Sequence, residues 1–131
     1  MIYLDSAAVV KLVHAEAESQ ALRAWLGDRS SLGWVSSVLV EVETVRALAR
    51  HAPDAISRLP PVLDLMVLVE ISSQVRAAAQ TVMPPAVRTL DAIHLATALH
   101  MSDQLTSFLT YDLRLAGAAI AAGLTVDSPA K

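Results

Sequence analysis

Four short apolar runs of this 131-residue chain each carry or end on acidic residues. The runs are MIYLD, SSVLVEVE, RTLDAIHLATAL and FLTYD, and they carry Asp5, Glu41 with Glu43, Asp91 and Asp112. An unpaired carboxylate beside a hydrophobic core is costly, so such acids need a partner. Four of them in one small domain predict a pocket of concentrated negative charge. The simplest physical use of that charge is to bind a hard divalent cation through oxygen ligands.

Three of these acids also have a purely structural interpretation. Asp5 and Asp112 each follow a predicted strand, and Asp is a common helix N-cap at that place. Asp91 lies in the first turn of a predicted helix, where negative charge is favourable. Capping and metal binding therefore remain as alternatives for each acid taken alone.

The two glutamates lie in a helix predicted over about residues 38–50, whose apolar stripe is Val38, Val42, Val45 and Ala49. Glu41 and Glu43 flank this stripe on opposite sides. Glu43 could instead pair with Arg46 one turn later on a solvated face. Helical periodicity does not choose between the two glutamates, and the role of Glu41 stays open.

The remaining segments predict an α/β fold. Apolar runs predict strands near residues 2–4, 32–35, 66–71, 107–110 and 124–126, with helices between them. Ser36 or Ser37 is expected to cap the helix over 38–50. Alternating strands and helices indicate a parallel sheet of four or five strands covered on both faces. Ligands of such sheets lie beyond the carboxyl ends of the strands, where Asp5 and Asp112 are predicted.

Composition narrows the class of protein. Hydrophobic residues make up 54% of the chain, which is enough for a sizeable core, and the chain has no cysteine for disulfides or thiolate metal sites. A net charge of -3 argues against a simple electrostatic nucleic-acid binder. The chain shows neither a signal peptide nor an apolar stretch of membrane-spanning length, so we expect a cytoplasmic protein without a membrane partner.

The motifs and their order resemble the PIN domain, and specifically the VapC toxins of bacterial toxin–antitoxin pairs. The segments that carry the resemblance are the opening MIYLD, then SSVLVEVETVRAL, LDAIHLATAL and LTYDLRLAGAAIAAGL. It extends over essentially the whole chain. It implies a single PIN domain over residues 1–131, folded as a three-layer α/β/α sandwich.

The resemblance also implies a site. Its catalytic acids map onto Asp5, Glu43, Asp91 and Asp112, with Asp5, Asp91 and Asp112 as metal ligands. Glu43 is selected over Glu41 because the family glutamate stands three residues before an Arg-Ala-Leu segment, here beginning at Arg46. A set of supporting and substrate-contact residues follows from the same mapping: Thr110 and Ser6 beside the acids, and Arg46 with Arg50 as RNA contacts.

Two further positions near these motifs are not expected to take part in catalysis. A further acid sometimes found one turn after the fourth is absent, because Ala116 occupies its place. This weakens the expectation of a second metal. His94, one turn after Asp91, is expected to be structural.

The activity implied by the resemblance is that of a Mg²⁺-dependent endoribonuclease, with Mn²⁺ as an alternative cation. The expected partners are RNA, a second copy of the chain in a homodimer, and a cognate antitoxin that forms a heterotetramer or larger complex. We expect the antitoxin to bind the segment over residues 10–63, where apolar residues cluster at Leu12, Leu22, Trp25 and Leu26.

Other functions fit the sequence less well. The main alternative is a catalytically silent PIN-like metal-binding module that acts through protein contacts. A receiver domain would need an Asp after the third strand, where the chain has Glu70-Ile71-Ser72, and a late Lys, where it has only Lys131. A haloacid-dehalogenase-like phosphatase would need a second acid after Asp5-Ser6.

Overall fold

Strand β1 (Ile2–Leu4) is completely buried and lies at the centre of a five-stranded sheet. A computed structural model of the chain describes residues 1–130. The other strands are β2 (Trp34–Ser37), β3 (Met66–Val69), β4 (Ser107–Leu109) and β5 (Val126–Asp127), in the spatial order β3-β2-β1-β4-β5. Every pairing is parallel, so all five strands end at the same edge of the sheet.

Seven helices connect these strands within residues 1–130: α1 (Ser6–Val13), α2 (Ser19–Gly27), α3 (Leu39–His51), α4 (Leu59–Leu63), α5 (Ser73–Ala79), α6 (Thr89–His100) and α7 (Leu113–Ala121). Two 3₁₀ helices, Pro53–Arg58 and Ser102–Gln104, complete the connections. No helix in this described part of the chain has both the length and the apolar character needed to cross a membrane.

Alternation along β1 divides the core into two layers. Ile2 and Leu4 face α1–α4, where they pack with buried leucines such as Leu22. Tyr3 points to the other face and stacks on Phe108, with ring centroids 5.1 Å apart, under α6 and α7. Burial of each large apolar side chain stabilises the fold by roughly 1.5–3 kcal/mol. The predicted three-layer α/β/α sandwich with a parallel sheet is confirmed.

Two of the sequence's acids begin helices. The carboxylate of Asp5 accepts a hydrogen bond from the Ala8 backbone N–H at 2.9 Å, and Asp112 accepts one from the Leu115 N–H at 2.9 Å. Both satisfy a backbone donor that the first turn of a helix leaves unpaired. Helix capping thus fixes both side chains at the carboxyl edge of the sheet, so the capping and site interpretations are compatible.

Strand β2 lies two residues later than predicted. Leu32 belongs to the preceding turn, and Ser36 and Ser37 are strand residues rather than the N-cap of α3, which is Val38. Ser37 still contributes at the helix start, because its hydroxyl accepts a hydrogen bond from the Leu39 N–H at 3.2 Å.

The face of helix α3 that is buried is not the apolar stripe predicted from the sequence. Within that stripe, Val42 is 59% exposed and Val45 is 40% exposed. The buried face instead carries Val40, Thr44 and Leu48. Thr44 is tolerated there because its hydroxyl donates to the Val40 carbonyl at 2.5 Å. This rotation turns Glu43 towards the carboxyl edge of the sheet.

Candidate active site

Asp5 is the most buried of the predicted site acids, with 5% of its surface exposed. Its Oδ2 accepts a hydrogen bond from Thr110 Oγ1 at 2.5 Å, in addition to the bond from Ala8. Burial raises the pKa of Asp5, since these two bonds only partly offset the loss of solvation, and the nearby negative charge of Asp91 adds to the rise. Thr110 also accepts the Asp112 N–H at 3.2 Å, and so joins two of the acids.

Glu43 is held by two donors on one oxygen. Its Oε1 lies 2.5 Å from Ser6 Oγ and 2.6 Å from His94 Nε2. Partial burial opposes ionisation, but the hydrogen bonds from His94 and Ser6 outweigh it and lower the pKa of Glu43. Glu41 lies exposed in the first turn of the same helix, two residues away. The structure therefore turns Glu43, and not Glu41, towards the other acids.

Tyr3 and His94 form the buried support of Glu43. The Ser37 N–H donates to the Tyr3 hydroxyl at 3.2 Å, and that hydroxyl lies 2.8 Å from His94 Nδ1. Burial raises the pKa of Tyr3, so the phenol stays protonated and donates to Nδ1. With Nδ1 accepting from that phenol, the hydrogen of the His94 ring lies on Nε2 and is donated to Glu43.

Arg88 connects the two remaining acids. Its Nε donates to Asp91 Oδ2 at 3.2 Å and its Nη2 to Asp112 Oδ2 at 3.0 Å. The arginine side chain is 72% exposed, whereas those of Asp91 and Asp112 are 21% and 32% exposed. These two carboxylates thus lie at the solvent-exposed rim of the site, and the guanidinium group of Arg88 lies between them.

All four predicted acids therefore belong to one connected region at the carboxyl edge of the sheet. The negative charge of Asp91 acts on Asp5, and Thr110 links Asp5 to Asp112. Among residues 1–130, however, no three His, Asp or Glu side chains are already arranged to hold a metal ion. The donors are hard carboxylate oxygens, and the buried Asp5 forms no salt bridge within residues 1–130. This donor chemistry fits Mg²⁺ or Mn²⁺.

The predicted RNA contacts lie beside this region rather than in it. Arg46 and Arg50 line a groove of about 360 Å³ along α3 that begins at Glu43 and includes Leu90. Arg46 does not orient Glu43, because the hydrogen bonds to Glu43 come from Ser6 and His94.

Sequence reasoning missed three contributions to the site. Arg88 stands three residues before Asp91, a spacing that brings two side chains of one helix start together, and this signal was available. Tyr3 was predicted only to be a strand residue, because its contact with His94 joins residues 91 positions apart in the sequence. His94 was expected to be structural, and it supports the site by holding Glu43.

A second groove, of about 380 Å³, opens on the α1–α2 face. Leu12, Leu26 and Trp34 line it, together with Leu65 just before β3. Since Trp34 begins β2, this groove lies at the amino ends of the strands, opposite the acids. It contains two of the four apolar residues predicted to attract an antitoxin; Leu22 is buried beneath it in the core.

The profile of the PIN domain matches residues 2–121. The chain belongs to the PIN-domain family. This PIN domain is 45% identical over 131 residues to "Ribonuclease VapC35" of Mycobacterium tuberculosis, covering 98% of this chain and 97% of the relative. The resemblance to VapC-type PIN domains is thereby confirmed. The last residue of the predicted domain, Lys131, lies outside the described residues.

Solved structures of low sequence identity share the fold. VapBC2 from Rickettsia felis, bound to a DNA fragment from its promoter, superposes with a TM-score of 0.76 at 12% identity, over 98% of this chain and 99% of that one. VapC20 of Mycobacterium tuberculosis, described as a Sarcin-Ricin loop cleaving toxin, gives a TM-score of 0.73 at 15% identity, over 95% and 97% of the two chains.

Proposed function

We propose that this PIN domain is a Mg²⁺- or Mn²⁺-dependent endoribonuclease and the toxin of a VapBC-type pair in the cytoplasm. The observation that carries the proposal is the gathering of Asp5, Glu43, Asp91 and Asp112 at one edge of a PIN-type sheet. The relative named as a ribonuclease at 45% identity supports the same activity.

In this proposal Asp5, Asp91 and Asp112 hold the cation. A divalent ion bound there supplies Lewis-acid stabilisation of the charge that develops on the scissile phosphate. Thr110 fixes the direction of the Asp5 carboxylate, and the capping bond from Leu115 fixes Asp112. Both bonds to Glu43 fall on Oε1, which leaves Oε2 for the attacking water or a water beside the phosphate.

Substrate RNA is proposed to follow the α3 groove towards the acids. Arg46 and Arg50 would bind backbone phosphates along it, since guanidinium groups match phosphate geometry in pairs of hydrogen bonds. Leu90 and Val42 offer apolar surface for a base between these charges. The exposed stripe residues of α3 outside this groove, Val45 and Ala49, are our candidate for the contact with a second copy of the chain.

The antitoxin is proposed to anchor a helix in the α1–α2 groove and to reach the acids with an extended tail. The VapBC2 complex, which has the same fold, supports an antitoxin partner. The groove and the acids lie at opposite ends of strands of three or four residues. An extended chain rises about 3.3 Å per residue, so the tail needs at least about five residues, and more because it must pass around the covered sheet.

Purified protein tests the activity directly. Wild type should cut RNA in Mg²⁺ or Mn²⁺ and stop in a chelator, and Asp91→Asn should lose most of the cleavage while keeping the wild-type far-ultraviolet spectrum. The contact of Arg88 with Asp91 and Asp112 favours the catalytically silent alternative. Wild-type protein that leaves RNA intact in both metals would support that alternative.

A further inference from the structure

Arg88 occupies a position that helix chemistry disfavours. It is the N-cap of α6, and its side chain makes no capping hydrogen bond. Ser, Thr, Asp and Asn are preferred there, and the positive end of the helix dipole repels a cation. A residue that breaks a local rule in this way usually has its reason in the function of the site.

The reason visible in the structure is charge compensation. The guanidinium contacts Oδ2 of Asp91 and Oδ2 of Asp112 at 3.2 and 3.0 Å. These two carboxylates come from different helices, α6 and α7, and would otherwise repel each other at the rim of a site that already contains Asp5. One side chain therefore neutralises two of the carboxylates that would hold a divalent ion.

We propose that Arg88 is an exchangeable counter-ion: it occupies the cation position in the metal-free protein and moves to the substrate phosphate when a divalent ion binds. This rests on the metal-dependent nuclease function proposed above. It assigns Arg88 a role in substrate binding that neither the sequence pattern nor the likeness to other PIN domains supplied.

Exposure makes the exchange feasible. Ion pairs of a side chain as exposed as Arg88 are weak because solvent screens them, so a divalent ion can displace the arginine without refolding any element. The released guanidinium remains at the start of α6, next to Leu90 of the α3 groove. It can there form two hydrogen bonds to a phosphate that approaches the acids.

Metal binding in the absence of RNA separates this role from a merely structural one. In Mn²⁺ titrations by calorimetry, Arg88→Gln should bind more tightly than wild type, by about tenfold if Arg88 occupies the acids about nine-tenths of the time. Arg88→Lys, which keeps the charge but not the two-armed geometry, should fall between them. Arg114→Gln is the matched control, because it removes an exposed arginine from α7 that makes no contact with the acids among the described residues.

Two further readouts test the movement itself. In protein with ¹⁵N-labelled arginine, the Arg88 Nε–H signal should shift on addition of Mg²⁺, and the signal of Arg114 should not. At saturating Mg²⁺, Arg88→Gln should raise the KM for RNA severalfold with a smaller change in kcat, and Arg114→Gln should keep both values.

Each result bears on the proposal. Equal or weaker Mn²⁺ binding by Arg88→Gln, in a wild-type background that does bind Mn²⁺, overturns the exchange and leaves the nuclease assignment in place. Wild-type protein that binds no Mn²⁺ overturns the metal site and the exchange together. Tighter binding by Arg88→Gln with an unchanged KM overturns the transfer to phosphate.

Discussion

The two halves of the candidate site are held in opposite ways. The inner half is a hydrogen-bond network that is buried at Tyr3, His94, Thr110 and Asp5 and part-buried at Glu43. Tyr3, His94 and Ser6 fix Glu43, and Thr110 fixes Asp5. The outer half consists of Asp91 and Asp112, joined by an arginine that is mostly in solvent. Buried polar networks are costly to disturb, whereas exposed ion pairs exchange readily. The inner half thus sets geometry, and the outer half is free to change partners.

The largest expected effect is on RNA cleavage. It distinguishes Glu43, which belongs to the inner half, from the exposed Glu41 of the same helix. Glu43→Gln should lower kcat for RNA by about 100-fold or more, the scale on which a positioned general base contributes. Glu41→Gln is the control, since Glu41 is exposed on the same helix. The reverse order of effects, measured with purified variants in Mg²⁺, would place the functional glutamate two residues earlier.

The next effect is on folding and concerns the buried support. Tyr3→Phe should lower the free energy of unfolding by about 1–3 kcal/mol, because it leaves His94 Nδ1 and the Ser37 N–H without their partner. Tyr111→Phe is the matched control: it removes a hydroxyl that donates to the Pro129 carbonyl from a part-buried position. Urea denaturation of both variants measures the difference. Equal losses would argue that the inner network has no special rigidity.

The outer half should respond to metal. A cation present at ten times its Kd that binds only the folded state stabilises that state by about 1.4 kcal/mol, which raises the Tm of a domain this size by about 5 °C. Mn²⁺ should produce such a rise, and Asp5→Asn should reduce it because it removes one proposed ligand. An unchanged melting curve across a Mn²⁺ titration would count against a preformed acidic site.

The smallest effect is the pH dependence of the inner half. Burial raises the pKa of Asp5 in the folded state, so the unfolded chain loses this proton first as pH rises. The contribution of Asp5 to stability is therefore full below the ordinary pKa of Asp and is lost as pH rises through the raised value. Without metal, Asp5→Asn should be more stable than wild type at neutral pH by about 1 kcal/mol, and the advantage should vanish in acid. Thermal melts from pH 3 to 8 measure it, and an advantage that is constant over this range would contradict the assigned cause.

Much of the fold and the acid positions could be predicted from the sequence. Strand runs and helix starts placed Asp5 and Asp112 at one edge because parallel strands end together. The exposed stripe of α3 shows where periodicity failed: Thr44, a buried polar residue, satisfies itself through the Val40 carbonyl and leaves no apolar signal. The two glutamates could be separated only by the resemblance to known PIN domains.

The hydrogen bonds that connect the side chains of the site could not be predicted from local sequence patterns. The contacts of Tyr3 with His94 and of Thr110 with Asp5 join residues 91 and 105 positions apart, and no local pattern encodes them. They depend on which strands are neighbours in the sheet, where β1 lies beside β4 although β2 and β3 come between them in the chain.

The position of the α1–α2 groove also determines what the tryptophan fluorescence of this protein can report. Both tryptophans of the chain are at this end of the molecule: Trp34 lines the groove, and Trp25 packs on the same core with the Arg29 guanidinium 3.8 Å above its ring. Both are only half-buried, so their emission depends on whether water or a bound chain covers them. The acids have no indole nearby among their hydrogen-bonded neighbours. Tryptophan fluorescence therefore reports occupancy of the groove, whereas cations at the acids must be followed by another method.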